Sequence, residues 1–188
     1  MLPDRTTAEN LLKDAEQCNP GAWVDHSKNT AQCAEKIAGA CAHMESEKAY
    51  ILGLLHDIGR KFGVKHLGHI YDGYQYMLKL GYDEAAKICL THSFSVQNIH
   101  DYIGRFDIGD DEIRELEEAL AAVEYDDYDR LIQLCDSMAG AEGVMAMEDR
   151  MSDVARRYGS YPQEKWDKNM ALKDYFSTKA GKDIYELL

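Results

Sequence analysis

Proline is scarce: Pro3, Pro20 and Pro162 are the only three in 188 residues. The ring that removes a backbone donor therefore interrupts the chain almost nowhere, and helix is open to nearly all of it. The five cysteines, Cys18, Cys33, Cys41, Cys89 and Cys135, form no CxxC pair. That excludes a zinc ribbon and a thioredoxin-like motif. Set among Ala, Ile and Leu, they read as small core residues, reduced in a cytoplasmic protein. Apolar runs such as Tyr50 to Leu55 are far too short to cross a bilayer. The opening MLPDRTTAENLLKD has no basic segment followed by an apolar one, so no signal peptide is expected. Clustered Lys and Arg are missing too, and the formal net charge is −13. Stable docking on nucleic acid or on an anionic membrane is thereby disfavoured.

No window alternates apolar and polar residues between turn signals, so no strand is expected. A hydrophobic share of 45% and a charged share of 29% suit one soluble domain with a core and a side pocket. Helical spacing predicts segments over Thr6 to Gln17, capped by the threonine, Trp23 to His43, and Glu45 to Ile58, stopped by Gly59. Further helices are expected over His69 to Leu80, Asp83 to His92, Asp111 to Ala122, Asp129 to Met138, Gly143 to Tyr158 and Pro162 to Thr178.

The chemistry is carried by a few polar residues on apolar faces. His56-Asp57 ends an apolar helix in LLHDIGR, where two strongly polar groups need partners, and a metal ion satisfies both. Gly53, one turn earlier, leaves room for another helix or a ligand. His92 continues the face of Ala85, Ile88 and Cys89, and Asp136 sits in LIQLCDSMAG one turn beyond Ile132. A carboxylate in so apolar a helix is costly unless paired or coordinated. His26 lies near the start of its helix, and His69 precedes Gly73 by one turn, a second gap for close approach. Four His and two Asp offer N and O donors suited to Fe, Mn, Co, Ni or Zn.

In this order, His26, then His56-Asp57 within HDIG, then a distant Asp136, the chain resembles the HD superfamily of metal-dependent phosphohydrolases. His69 in an H-x-x-x-G setting and His92 in THSF resemble its two-metal subgroup. The resemblance spans about Val24 to Gly140 and implies an all-α helical bundle. The whole of 1–188 is read as a single domain, with a C-terminal helical extension over 141–188. It implies one or two divalent metal ions, the first held by His26, His56, Asp57 and Asp136, the second by His69 and His92 with Asp57 bridging. The function implied is hydrolysis of a small phosphate ester or anhydride, or of a nucleotide, by metal-activated water. The GYP signature of the branch that hydrolyses cyclic dinucleotides is absent, and DSMAGAEGVMAMEDR departs from the branch that splits dinucleoside tetraphosphates. The resemblance thus reaches the metal site and not the substrate. An oxygenase with two irons and a metal-binding sensor without turnover are the alternatives on the same donors.

Around that set, Asp57 and Arg60 are the residues expected to take part in catalysis, Arg60 as the cation offsetting phosphoryl charge and Lys61 as its rival. His66 competes with His69 but sits in a loop-like context, and His43 and His100 read as exposed or structural. Arg156-Arg157-Tyr158 reads as a solvated helix end, Glu124 to Asp129 as a solvated turn, and Met138, Met145 and Met147 as core fillers. Arg150 is a minor candidate for reaching the site.

Overall fold

The computed structural model describes all 188 residues. Nine α-helices carry the chain: α1 (Arg5–Cys18), α2 (Trp23–Ala40), α3 (Ser46–Leu55), α4 (Leu67–Lys79), α5 (Asp83–Thr91), α6 (Asp110–Ala122), α7 (Asp127–Asp136), α8 (Met147–Tyr158) and α9 (Gln163–Ala180). The only strands are β1 (Ala139–Gly140) and β2 (Gly143–Val144), a minimal antiparallel hairpin with Ala139 opposite Val144. The protein is all-α in class, and no helix is long and apolar enough to cross a membrane.

The centre of the fold is α3. Ala49, Ile51, Leu52, Gly53, Leu54 and Leu55 are all buried, and a helix apolar on every side belongs inside a protein. It packs on α1, α2, α5 and α7, and burying each of its leucines contributes about 1.5–3 kcal/mol. Gly53 admits α2 rather than a ligand: a Cβ there would lie 2.8 Å from Ala31 Cα.

The helix stops at Leu55, earlier than its periodicity predicts. His56 keeps helical angles, Asp57 swings to φ −102° and ψ 14°, and a 3₁₀ turn follows over Ile58–Phe62. Gly59 sets that path. Its bare α-carbon packs on the backbone of α4, where a Cβ would come within 2.0 Å of His69 O and 2.4 Å of Gly73 N. The residue that ends the turn is Gly63, at φ 121°. Gly73 likewise serves helix packing, its missing Cβ leaving space beside Cys89.

Three other expectations are corrected. The cap of α1 is Asp4, whose Oδ1 accepts from Thr7 N at 2.7 Å, and not Thr6. The helix expected from Gly143 begins at Met147, because Gly143 takes φ 131°, outside the helical range, and closes the hairpin. That hairpin leaves Met145 39% exposed, while Met138 and Met147 are buried as expected. Beyond it, Met147 and Met151 of α8 and Phe176 of α9 share a core with Leu131, Ile132 and Cys135 of α7. The last two long helices therefore pack on the body that carries Asp136.

Candidate metal centre

Four histidines from α2, the end of α3, α4 and the end of α5 turn the same nitrogen inward. His26 Nδ1 lies 3.1 Å from Ala139 O, His56 Nδ1 2.7 Å from Gly53 O, and His92 Nδ1 2.9 Å from Cys89 O. His69 Nδ1 donates to His66 O. A carbonyl only accepts, so each Nδ1 carries a proton, and in the neutral ring each Nε2 keeps its lone pair. Those lone pairs converge. His26 Nε2 and His56 Nε2 stand 3.2 Å apart, and His69 Nε2 and His92 Nε2 stand 3.4 Å apart. In the neutral rings neither nitrogen of either pair has a hydrogen to share, so each pair favours a cation between them, and without one the Asp136 carboxylate 3.0 Å from His26 Nε2 favours a proton on that ring. Neutral imidazoles oriented through Nδ1–H to a backbone carbonyl are the form in which histidine binds a metal.

Two carboxylates complete the cluster. Asp57 Oδ1 lies 3.0 Å from His69 Nε2 and 3.6 Å from His92 Nε2, while its Oδ2 lies 3.9 Å from His56 Nε2. Asp136 Oδ1 lies 3.0 Å from His26 Nε2 and 3.8 Å from His56 Nε2. The donor atoms of His26, His56 and Asp57 fall within 4.8 Å of one another, as do those of Asp57, His69 and His92. The structure thus brings all six sequence-singled residues together, with Asp57 common to both groups. This mixed N and O set, largely buried, fits one or two divalent ions.

Neighbours fix these side chains. Asn29, one turn after His26, donates to Gly140 O at 2.8 Å and ties the hairpin to α2. Gln133 donates to Thr91 O at 3.0 Å, and Thr91 donates to Asp129 Oδ1 at 2.8 Å. Asp129 also meets Lys87 at 2.6 Å. These bonds lock the end of α5, and with it His92, onto α7, which carries Asp136. Asp129 is fully buried, so the solvated turn expected over Glu124 to Asp129 ends before it. The reason is that Asp129 sits in the first turn of α7, on the same face as Gln133 and Asp136. His66 is not a donor to the cluster; it lies at the start of α4 and supplies the carbonyl that orients His69.

The cluster sets its own electrostatics. Burial opposes the charged form of Asp57, but Arg60 and His69 beside it hold its carboxyl well below the usual range. Asp136 is half-buried, and the neighbouring His26 brings its carboxyl down against that desolvation. Burial pushes His56 down and His92 to about 3, whereas for His26 the adjacent Asp136 outweighs burial and the pKa rises. In metal-stripped protein His92 stays neutral when folded but binds a proton below about 6.5 when unfolded, so stability falls as the pH drops from 6.5 toward 3. His56 adds to that loss, and the raised His26 opposes it. The denaturation midpoint of stripped protein is expected to fall between pH 7.5 and 5.5, and to fall less in His92→Gln. An equal fall in the two proteins would contradict this assignment.

A cavity opens beside the donors, bordered by His69, His92 and Asp136, and a neighbouring one reaches His26 and Asp57. Arg60 lines the first, with Nε 2.5 Å from Asp57 Oδ2, so it is a partner of the cluster rather than an ordinary helix-end cation. Lys61 turns away to Tyr76. Arg150 stands in the cavity wall with its Nε 3.1 Å from Ala139 O, and Tyr158 rims it, while Arg156 is the solvated cation expected there. Lys165 of α9 also lines it, and no sequence pattern marked that residue.

Residues 23–141 match the HD domain family. No curated protein and no solved structure shows significant similarity to the chain. The matched segment runs from the start of α2 to the hairpin, takes in all six donors and covers more than half of the residues, so the chain belongs to the HD-domain family.

Proposed function

We propose that the protein is a metal-dependent phosphohydrolase that cleaves an ester or anhydride of a small phosphorylated molecule, nucleotides included. The observation that carries this reading is the pairing of four inward Nε2 lone pairs and two carboxylates with a cavity whose walls hold Arg60, Arg150 and Lys165. In a chain of net charge −13, three cations beside one donor cluster favour a phosphorylated substrate over a neutral one. His26, His56, Asp57 and Asp136 would hold one ion, and His69 and His92 a second, with Asp57 shared. A divalent ion there supplies Lewis acidity, lowering the pKa of water from about 16 toward 7.

The chain's own residues do the rest. Asp57 and Asp136 set the negative charge that balances the cations, and the four Nδ1 hydrogen bonds hold the rings in one tautomer. Arg60, anchored through Nε, keeps its terminal nitrogens for the phosphoryl oxygens on which charge grows. Bulk water is restricted by burial: His56, Asp57, His69 and His92 are each at most 3% exposed.

The test is a panel of nucleotides and generic phosphate esters assayed with Mn²⁺, Fe²⁺, Co²⁺ and Ni²⁺, with metal content measured by elemental analysis. Phosphate release is expected with at least one pair of metal and substrate. His92→Ala is expected to lower the bound-metal count while the helical signal stays intact. Iron-dependent oxygen consumption without phosphate release would replace this reading, and metal binding with no turnover across the panel would make the domain a sensor.

A further inference from the structure

The helices beyond the family match leave polar groups unused in the cavity. Lys165 of α9 donates to Ser93 O at 2.6 Å and has no carboxylate within ion-pairing distance. An ammonium has three donors, so two are left over. Desolvation brings its pKa down to about 8 although Asp136 and Asp101, both beyond pairing distance, pull the other way. A tie to one carbonyl needs no charge, and a desolvated cation with no carboxylate paired to it is a costly way to make it.

Around it, Asn169 is 1% exposed, and its Oδ1 has no hydrogen-bond partner although its Nδ2 donates to Tyr161 OH at 2.8 Å. Ser95 Oγ is buried and unpartnered as well. Tyr161, having accepted that bond, keeps its own hydrogen to donate. Ser95, Tyr161, Lys165 and Asn169 all line the cavity that His69, His92 and Asp136 border. Buried polar groups are almost always satisfied, and two exceptions in one cavity mark a place for ordered water or for a polar ligand that displaces it.

We propose that Lys165, with Ser95, Tyr161 and Asn169, forms a second anion subsite that binds a phosphoryl group of the substrate other than the one placed at the metal centre. The ammonium, the Tyr161 hydroxyl and the Ser95 hydroxyl donate to the phosphoryl oxygens. Asn169 Oδ1 accepts from a hydroxyl or N–H of the attached organic part. The preferred substrate then carries at least two phosphoryl groups, as a phosphoanhydride or a bisphosphate does. This inference rests on the phosphohydrolase reading for the role of the first group, and α9, outside the matched family segment, supplies the selectivity.

The experiment is a calorimetric titration of Mn²⁺-loaded protein, cleared of excess ion, with inorganic pyrophosphate and with inorganic phosphate. Metal content is measured before and after. Wild type is expected to bind pyrophosphate more tightly by about tenfold or more, the scale of one charge-assisted contact. Lys165→Gln, which keeps a donor for Ser93 O, is expected to lose that preference while its phosphate affinity changes by less than about threefold. Lys165→Met serves as the second variant, with thermal melts reporting the fold of both. The proposal is overturned if wild type shows no preference, if both variants keep it, or if phosphate and pyrophosphate weaken equally. Should no phosphate compound be turned over, the enzyme reading fails while the titration still decides the subsite; turnover with an unchanged preference fails the subsite alone.

Discussion

Asp57→Ala is expected to lower turnover by about a thousandfold or more and to strip most of the bound metal. One oxygen of this carboxylate faces His69 and His92, and the other faces His56 and Arg60. Its loss therefore weakens both halves of the donor set at once, where loss of any single histidine weakens one. It also leaves Arg60 beside the remaining imidazoles with no nearby negative charge except Asp136, which opposes the return of a cation. The checks are elemental analysis and phosphate release, run beside circular dichroism to show that the helices persist. Turnover retained within about tenfold of wild type would remove Asp57 from the centre of the mechanism.

Gly59→Ala is the substitution with the largest expected cost to the fold. The added methyl would lie 2.0 Å from His69 O, 2.4 Å from Gly73 N and 2.9 Å from Gly73 Cα, all of them backbone atoms that no rotamer change can move. Overpacking of this kind costs about 3 kcal/mol, which for a chain of this length is a fall in Tm of roughly 6–12 °C. The same clash pushes α4 outward with His69 on it, so the bound-metal count should fall together with Tm. Gly39→Ala is the control, since its Cβ would meet only the movable Ser46 Oγ at 3.1 Å. A Gly59→Ala protein that melts like wild type would mean that α4 does not press on the HDIG turn as described.

Helices were legible in the sequence because apolar spacing on α1 to α7 repeats over enough residues to fix a face. The six donors were legible for a related reason: each is a polar residue on, or at the end of, an apolar stripe, where burial without a partner is costly. What was not legible depends on distance in the chain. Arg150, a minor candidate from the sequence, and Tyr161, Lys165 and Asn169, which no pattern marks, reach the cavity only because α8 and α9 fold back, and locally Lys165 and Asn169 look like solvated helix residues. Asp129 was misplaced in a turn although a signal existed, for Asp129, Gln133 and Asp136 repeat at i, i+4 and i+7 along α7. The early end of α3 was hidden because it depends on backbone contact between Gly59 and α4. The two-residue strands carry too few residues to show a period.

The donors run from His26 to Asp136, and the carbonyl that holds His26 belongs to Ala139. Synthesis from the N-terminus delivers five of the six donors long before the last. A growing chain that ends between His92 and Asp136 contains the HDIG turn and all four imidazoles, yet has no Asp136 and no Ala139 carbonyl to accept from His26. Assembly of the full donor set is consequently a late event in the making of the protein, completed only after α7 and the residues following it have left the ribosome and docked.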